Sequence, residues 1–130
     1  MVNELKLQTD FVKKAKKEGG WAIKTANRHI GGIPDIYMKV GPPHGVFIEC
    51  KLGKLNLTAL QRETLRRMHR AGQPAGWVMF KKIKNQWYVY VGANPDADCV
   101  EHCPCTPFKD IDCGTVVHTI NVLSREFYSE

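Results

Sequence analysis

The stretch that decides the fold is Gly32-Ile33-Pro34-Asp35, followed after a turn by Phe47-Ile48-Glu49-Cys50-Lys51. Residues 35–40 and residues 45–51 each have the composition of a β-strand, and a Gly/Pro-rich turn signal at residues 41–44 separates them. Two strands that are joined so closely predict an antiparallel hairpin.

Side chains alternate along a strand, so Glu49 and Lys51 point to one face of the hairpin and Cys50 points to the other. With the turn centred near Pro43, Asp35 lies opposite or diagonal to Glu49 and Lys51 on the same face. A charge beside a core is costly unless it is paired or bound to metal. Two converging carboxylates with a neighbouring ammonium therefore predict a site for a hard divalent cation such as Mg²⁺.

The pair Pro34-Asp35 with Glu49-Cys50-Lys51 resembles the motif of the PD-(D/E)XK nuclease superfamily. The continuation from Lys51 through Gln61 into a helix ending near Gly72 is similar to the VRR-NUC branch, which includes small stand-alone enzymes, many of them from phages. The resemblance covers roughly residues 4–91. It implies an α/β, restriction-endonuclease-like core with a central mixed sheet of about five strands flanked by helices.

The resemblance also implies a site. Asp35, Glu49 and the backbone carbonyl of Cys50 would bind Mg²⁺ or Mn²⁺, and Lys51 would hold or deprotonate the attacking water.

Two further residues have alternative interpretations. In the resembling family a Glu on the first helix often completes the metal site, and Glu4 is the candidate here, but a solvated carboxylate at a helix start is equally ordinary. The resemblance likewise places a Gln such as Gln61 at the catalytic site, yet Thr58-x-x-Gln61 also fits a capping box, which needs no function.

The function that the resemblance implies is a divalent-metal-dependent endonuclease that hydrolyses DNA phosphodiester bonds and leaves a 5′-phosphate. A branched substrate such as a Holliday junction needs two cuts, which favours a homodimer with two-fold symmetry. The alternatives are a sequence-preferring homing or nicking endonuclease, a nucleic-acid-binding module without catalysis, and a small zinc-dependent interaction protein.

The net charge of +6 is unevenly distributed. Residues 1–92 carry 17 Lys and Arg against 6 Asp and Glu, a net +11, whereas residues 93–130 carry 2 against 7, a net −5. A basic body suits a polyanionic partner, although small proteins are also often basic for solubility. The candidate DNA-binding residues are Arg28, His29, Lys54, Arg62, Arg66 and Arg70; solvated loop and helix faces are the alternative.

Hydrophobic periodicity and turn signals predict an αβββαβ(β) order. Helices are predicted over residues 2–19 and 57–71, and strands over 21–29, 35–40, 45–51, 75–80 and 86–91. The nuclease core is predicted to span residues 1–92. Residues 93–130 form a short Cys-rich extension that packs on the core or on a second subunit.

Four of the five cysteines lie in that extension: Cys99, Cys103, Cys105 and Cys113. They are candidate ligands for a structural zinc ion, but their spacing does not match paired C-x-x-C knuckles. Free thiols and a disulfide are the alternatives. Residues 115–127 fit a strand as well as a helix.

No apolar run approaches the ~18 residues that a membrane helix needs, and the N-terminus lacks an apolar signal-peptide core. The expectation is a cytoplasmic protein without a membrane partner, located in the host cytoplasm if a phage encodes it.

Overall fold

A computed structural model of the chain describes residues 3–25, 32–41, 44–109 and 111–128. The predicted mixed sheet with flanking helices is confirmed, with six strands instead of about five. Two 3-10 turns span Val100–His102 and Arg125–Phe127. The helices and strands, in chain order, are α1 (Glu4–Lys17), β1 (Trp21–Lys24), β2 (Ile36–Lys39), β3 (Val46–Leu52), α2 (Ala59–Arg70), β4 (Ala75–Ile83), β5 (Gln86–Gly92), β6 (Thr106–Phe108) and α3 (Cys113–Ser124).

The strands lie side by side in sequence order, β1 to β6. Every neighbouring pair is antiparallel except β3 and β4, which run parallel because α2 carries the chain back between them. The predicted antiparallel pairing of the two motif strands is confirmed, with Ile36 opposite Ile48. Residues 42–43 of the predicted turn lie outside the described part of the chain.

The two faces of the sheet are covered by different helices. On one face, Phe11 of α1 and Ile120 of α3 pack with Cys50 and its apolar neighbours. On the other face, Leu65 of α2 packs against a cluster that includes Trp77. Because Glu49 and Lys51 alternate with Cys50 along β3, their side chains point to the α2 side.

The Cys-rich extension contributes to this fold through β6 and α3. For residues 115–127 the sequence left helix and strand open, and the structure has α3 followed by a 3-10 turn. Asp112 caps α3 by accepting a hydrogen bond from the Thr115 N–H at 2.6 Å. The Glu18 carboxylate accepts from the N–H groups of Cys113 at 3.0 Å and Gly114 at 3.3 Å. This contact ties the start of α3 to the end of α1.

Two local features differ from the simple sequence pattern. Leu60 of α2 is 54% exposed, whereas His69 is buried and its Nε2 lies 2.8 Å from the Ala75 carbonyl oxygen. The strand predicted over residues 75–80 extends to Ile83 in β4. The turn between β4 and β5 is Lys84-Asn85, with positive φ at both residues, as a type I′ hairpin turn requires.

Candidate active site

Asp35 lies immediately before β2, and the register of the pairing places it opposite Glu49 of β3. Two backbone groups hold it. Its carbonyl accepts from the Thr25 N–H at 2.9 Å, and its Oδ2 accepts from the Cys50 N–H at 3.0 Å. Thr25 was not among the predicted site residues, and only its place at the end of β1, next to β2, hints at this positioning contact.

Glu49 and Lys51 are neighbours on the same face of β3, at 4% and 8% exposure. The Lys51 Nζ lies 3.8 Å from Glu49 Oε2. The other carboxylate oxygen, Oε1, is buried and has no hydrogen-bond partner within the described residues. Buried charged side chains are uncommon, and a buried oxygen without a partner costs stability.

The electrostatics of this pair are unusual. Burial first, and then the charge of the neighbouring Asp35, raise the pKa of Glu49 from 4.5 to about 9. Lys51 lowers this pKa in part, and Glu4 adds a smaller increase. Without additional positive charge, Glu49 therefore holds a proton at neutral pH.

Gln61, in the first turn of α2, forms a capping box and also contacts Glu49. Its Oε1 accepts from the Thr58 N–H at 3.0 Å while the Thr58 hydroxyl accepts from the Gln61 N–H at 3.1 Å, which forms the capping box. Its Nε2 donates to Glu49 Oε2 at 3.1 Å. The start of α2 is thus attached directly to the Glu49 carboxylate.

The backbone of Cys50 also faces this region. The N–H and C=O of one strand residue point to the same side, and the Cys50 N–H points to Asp35. The Cys50 carbonyl therefore lies on the edge of β3 that faces Asp35, beyond the Ile36–Ile48 pair.

Gly32 permits the close approach that brings the Asp35 segment against α2. Its φ is +86°, and a Cβ at this position would lie 2.7 Å from the Leu60 Cγ and 2.9 Å from the Thr64 Oγ1. Any other residue would be strained here and would push the segment away from the helix.

Glu4 lies in the first turn of α1 and is exposed. Its charge reaches Glu49, whose pKa it raises slightly. The side-chain ligand atoms of Glu4, Asp35 and Glu49 do not all lie within 4.8 Å of one another. In the described ranges, three ligand atoms are this close at Asp98, Cys99 and His102.

The arginines of α2 surround an acidic residue that sequence reasoning missed. Glu63 contacts Arg66 at 3.5 Å, Arg67 at 3.2 Å and Arg70 at 3.2 Å. Arg66 also pairs with Asp96. The hydrogen bond from Arg67 is the main reason that the pKa of Glu63 is lowered. A phosphate that approached Arg66 or Arg70 would compete with these carboxylates.

The other predicted DNA-binding residues are more scattered. Arg62 donates from Nε to the Leu57 carbonyl at 3.2 Å, and Lys54 is exposed in the loop after β3. Arg28 and His29 lie outside the described residues.

The four cysteines of the extension do not lie together. The Cys113 thiol is buried under α1, 3.8 Å from the Phe11 carbonyl oxygen. Cys103 and Cys105 pack on the α2 side of the sheet, where the Cys105 thiol donates to the Val100 carbonyl at 3.4 Å. Cys99 precedes the turn Val100–His102 on the same loop. The structure thus separates Cys113 from the other three cysteines.

The donor set at Asp35 and Glu49 suits a hard divalent cation. Two adjacent carboxylates, a backbone carbonyl on the same strand edge and a buried carboxylate oxygen without a partner are oxygen ligands of the kind that Mg²⁺ and Mn²⁺ take. The positive charge of a cation bound there would stabilise the ionised form of Glu49.

Comparison with solved structures defines the class of fold. The chain is similar to Hjc of Archaeoglobus fulgidus, a Holliday junction resolvase from an archaeal hyperthermophile, with a TM-score of 0.54 and 19% identity. The match covers 89% of this chain and 96% of that chain. The fold is therefore the α/β, restriction-endonuclease-like fold of that resolvase. No protein-family model and no curated protein matches the sequence. In the described residues, no helix is both long and apolar enough to cross a bilayer.

Proposed function

We propose that this chain is a divalent-metal-dependent endonuclease that hydrolyses phosphodiester bonds in branched DNA. The observation that carries the proposal is the convergence of Asp35, Glu49 and Lys51 on one face of the β2–β3 pair. The likeness to a Holliday junction resolvase supports the choice of a branched substrate. We also propose that the chain is related to the phage-type VRR-NUC enzymes and that it is located in the cytoplasm.

Asp35, Glu49 and the Cys50 carbonyl would hold Mg²⁺ or Mn²⁺, with Glu4 available on the α1 side. When bound, the cation supplies Lewis-acid polarisation of the phosphodiester. The protein prepares the ligands in advance: the Cys50 N–H holds Asp35, and the Gln61 amide holds Glu49.

Lys51 would act on the reacting phosphate. Its ammonium group is nearly buried beside Glu49, so it is shielded from bulk water, and its attraction for negative charge is stronger than at the surface. It would stabilise the charge that develops on the phosphate and orient the attacking water. The hydrogen bond from Gln61 would restrain the Glu49 carboxylate next to Asp35.

A basic surface would bind the DNA backbone without reading bases. Lys54, Arg62, Arg66 and Arg70, together with Arg28 and His29, remain the proposed contacts. Because Glu63 and Asp96 engage the arginines at 66 and 70, DNA binding through them would require exchange of these ion pairs for phosphate contacts. A homodimer would supply the two active sites that a four-way junction requires.

The test of substrate class is a cleavage assay on four labelled DNAs of shared sequence: linear duplex, single strand, flap and four-way junction. We expect cleavage in Mg²⁺, none in EDTA, and a preference for the branched substrates. Cutting of linear duplex at one fixed sequence would instead indicate a sequence-preferring homing or nicking endonuclease. Binding without cleavage of any substrate would indicate a module without catalysis.

A further inference from the structure

The loop between β5 and β6, residues 93–105, is long and contains only one short 3-10 turn as regular structure. Loops of this length without regular structure are uncommon and usually have a function or an additional constraint. Ala97, Val100, Cys103 and Cys105 pack against the cluster that contains Trp77, so the inner side of the loop is held by apolar contacts.

The outer side of the loop brings together three metal-ligating groups. One ligand atom each from Asp98, Cys99 and His102 lie within 4.8 Å of one another. The turn explains why. Cys99 precedes it and His102 ends it, and the His102 N–H donates to the Cys99 carbonyl at 3.4 Å. Residues i and i+3 of a 3-10 turn lie on the same side, so the thiol and the imidazole face the same space.

We propose that this loop binds one Zn²⁺ ion through Asp98, Cys99 and His102, with water as the fourth ligand. Zinc with three protein ligands and one water is four-coordinate, and Cys, His and Asp are among its usual ligands. Cys103 lies on the inner side of the loop, against the cluster that contains Trp77, and takes no part. Cys113, under α1, takes no part.

The ligand types also separate this site from the carboxylate site at Asp35 and Glu49. A thiolate and an imidazole select zinc, whereas carboxylate and carbonyl oxygens suit magnesium. Binding would release the Cys99 thiol proton, because the thiolate is the form that ligates metal. Glu101 remains 3.7 Å from the Lys81 Nζ. The metal would thereby fix the wall of a cavity of about 290 Å³ that Lys54 and Lys81 also line.

The test uses the full chain, reduced and stripped of metal, titrated with Co²⁺ in excess Mg²⁺. Cobalt bound to thiolate gives a charge-transfer absorption that carboxylate sites do not give. We expect one equivalent of cobalt with this band, displaced by Zn²⁺. Cys99→Ser and His102→Gln should each weaken binding at least ~10-fold, the lower end of what loss of even an outer partner of a zinc ligand costs. Cys113→Ser is one matched control, and His118→Gln, which changes an exposed histidine of α3, is the other; both should keep the band.

Thermal unfolding of the same samples gives an independent readout. Zn²⁺ should raise the Tm of wild type and of the His118→Gln variant, but not that of the His102→Gln variant. The proposal is overturned if wild type shows no thiolate band, or if the variants at 99 and 102 bind cobalt as tightly as the controls. It is also overturned if Cys113→Ser alone removes the band. None of these readouts depends on nuclease activity.

Discussion

Replacing Glu49 with glutamine should stabilise the metal-free protein, and increasingly so as the pH rises. Burial and the Asp35 charge raise the pKa of Glu49 to about 9 in the folded state, whereas the unfolded chain ionises near the usual 4.5. Between these values the folded state holds a proton that the unfolded state has released. The free energy of unfolding of wild type therefore falls as pH rises from about 4.5 toward 9.

The size of the effect follows from these values. About 2.5 pH units separate the usual pKa from pH 7, and each corresponds to about 1.36 kcal/mol. The free energy of unfolding of wild type should therefore be about 3 kcal/mol lower at pH 7 than at pH 4.5. Glutamine carries no ionisable proton and can still accept the Gln61 hydrogen bond, so the Glu49→Gln variant should be more stable than wild type by about that amount at pH 7. The two proteins should converge near pH 4.5.

The assay is urea unfolding in EDTA at several pH values between 4.5 and 8, with the midpoint and the slope fitted for each protein. Glu63→Gln is the matched control. Because arginines lower the pKa of Glu63, its glutamine variant should show no stabilisation that grows with pH. A constant difference between wild type and the Glu49→Gln variant across this range would refute the reasoning, since Glu49 would then ionise normally in the folded protein.

Three further predictions follow from the same contacts. Mg²⁺ binding at pH 7 should release about one proton from Glu49, and Asp35→Asn should abolish binding. Proton release is measured in a calorimeter as a dependence of the binding heat on the ionisation enthalpy of the buffer, and a heat independent of the buffer would contradict the prediction. Thr58→Ala should lower stability by about 0.5–2 kcal/mol and leave cleavage unchanged, whereas Gln61→Ala should also lower kcat, because Gln61, unlike Thr58, donates a hydrogen bond to Glu49. Equal cleavage by both variants would argue against a role for that contact. Glu63→Gln should tighten binding to duplex DNA and steepen its salt dependence, because the arginines lose a competing partner; unchanged affinity in a fluorescence titration would show that they do not contact DNA.

Much of the core and the positions of the candidate site could be predicted from the sequence because they depend on short-range rules. The two-residue period of a strand places Glu49 and Lys51 on one face, and the short turn brings Asp35 opposite Glu49. The 3.6-residue period and the capping box locate α2 to within about two residues at its start.

What the sequence left open depends on contacts between distant residues. The Val, Thr and Ile in residues 115–127 favour strand by local propensity, but packing of Val116 and Ile120 on the sheet makes this segment a helix. Strand β6 is only three residues long and contains Pro107, so its pairing with β5 has almost no local signal. Glu63 was overlooked although local spacing predicts its pairs, because Arg66 and Arg67 lie three and four residues further along the same helix.

The most direct test of the central claim is cleavage of a four-way junction in Mg²⁺ by wild type and by the Lys51→Ala variant, purified in parallel. Lys84→Ala, which changes an exposed lysine in the β4–β5 turn, is the control for loss of positive charge. We expect the Lys51→Ala variant to cut roughly 100-fold more slowly or worse, in line with the loss of one positioned electrostatic group, while the control cuts like wild type. Identical products at identical rates from wild type and the Lys51→Ala variant would contradict the account, because the cleavage would then come from a contaminating nuclease.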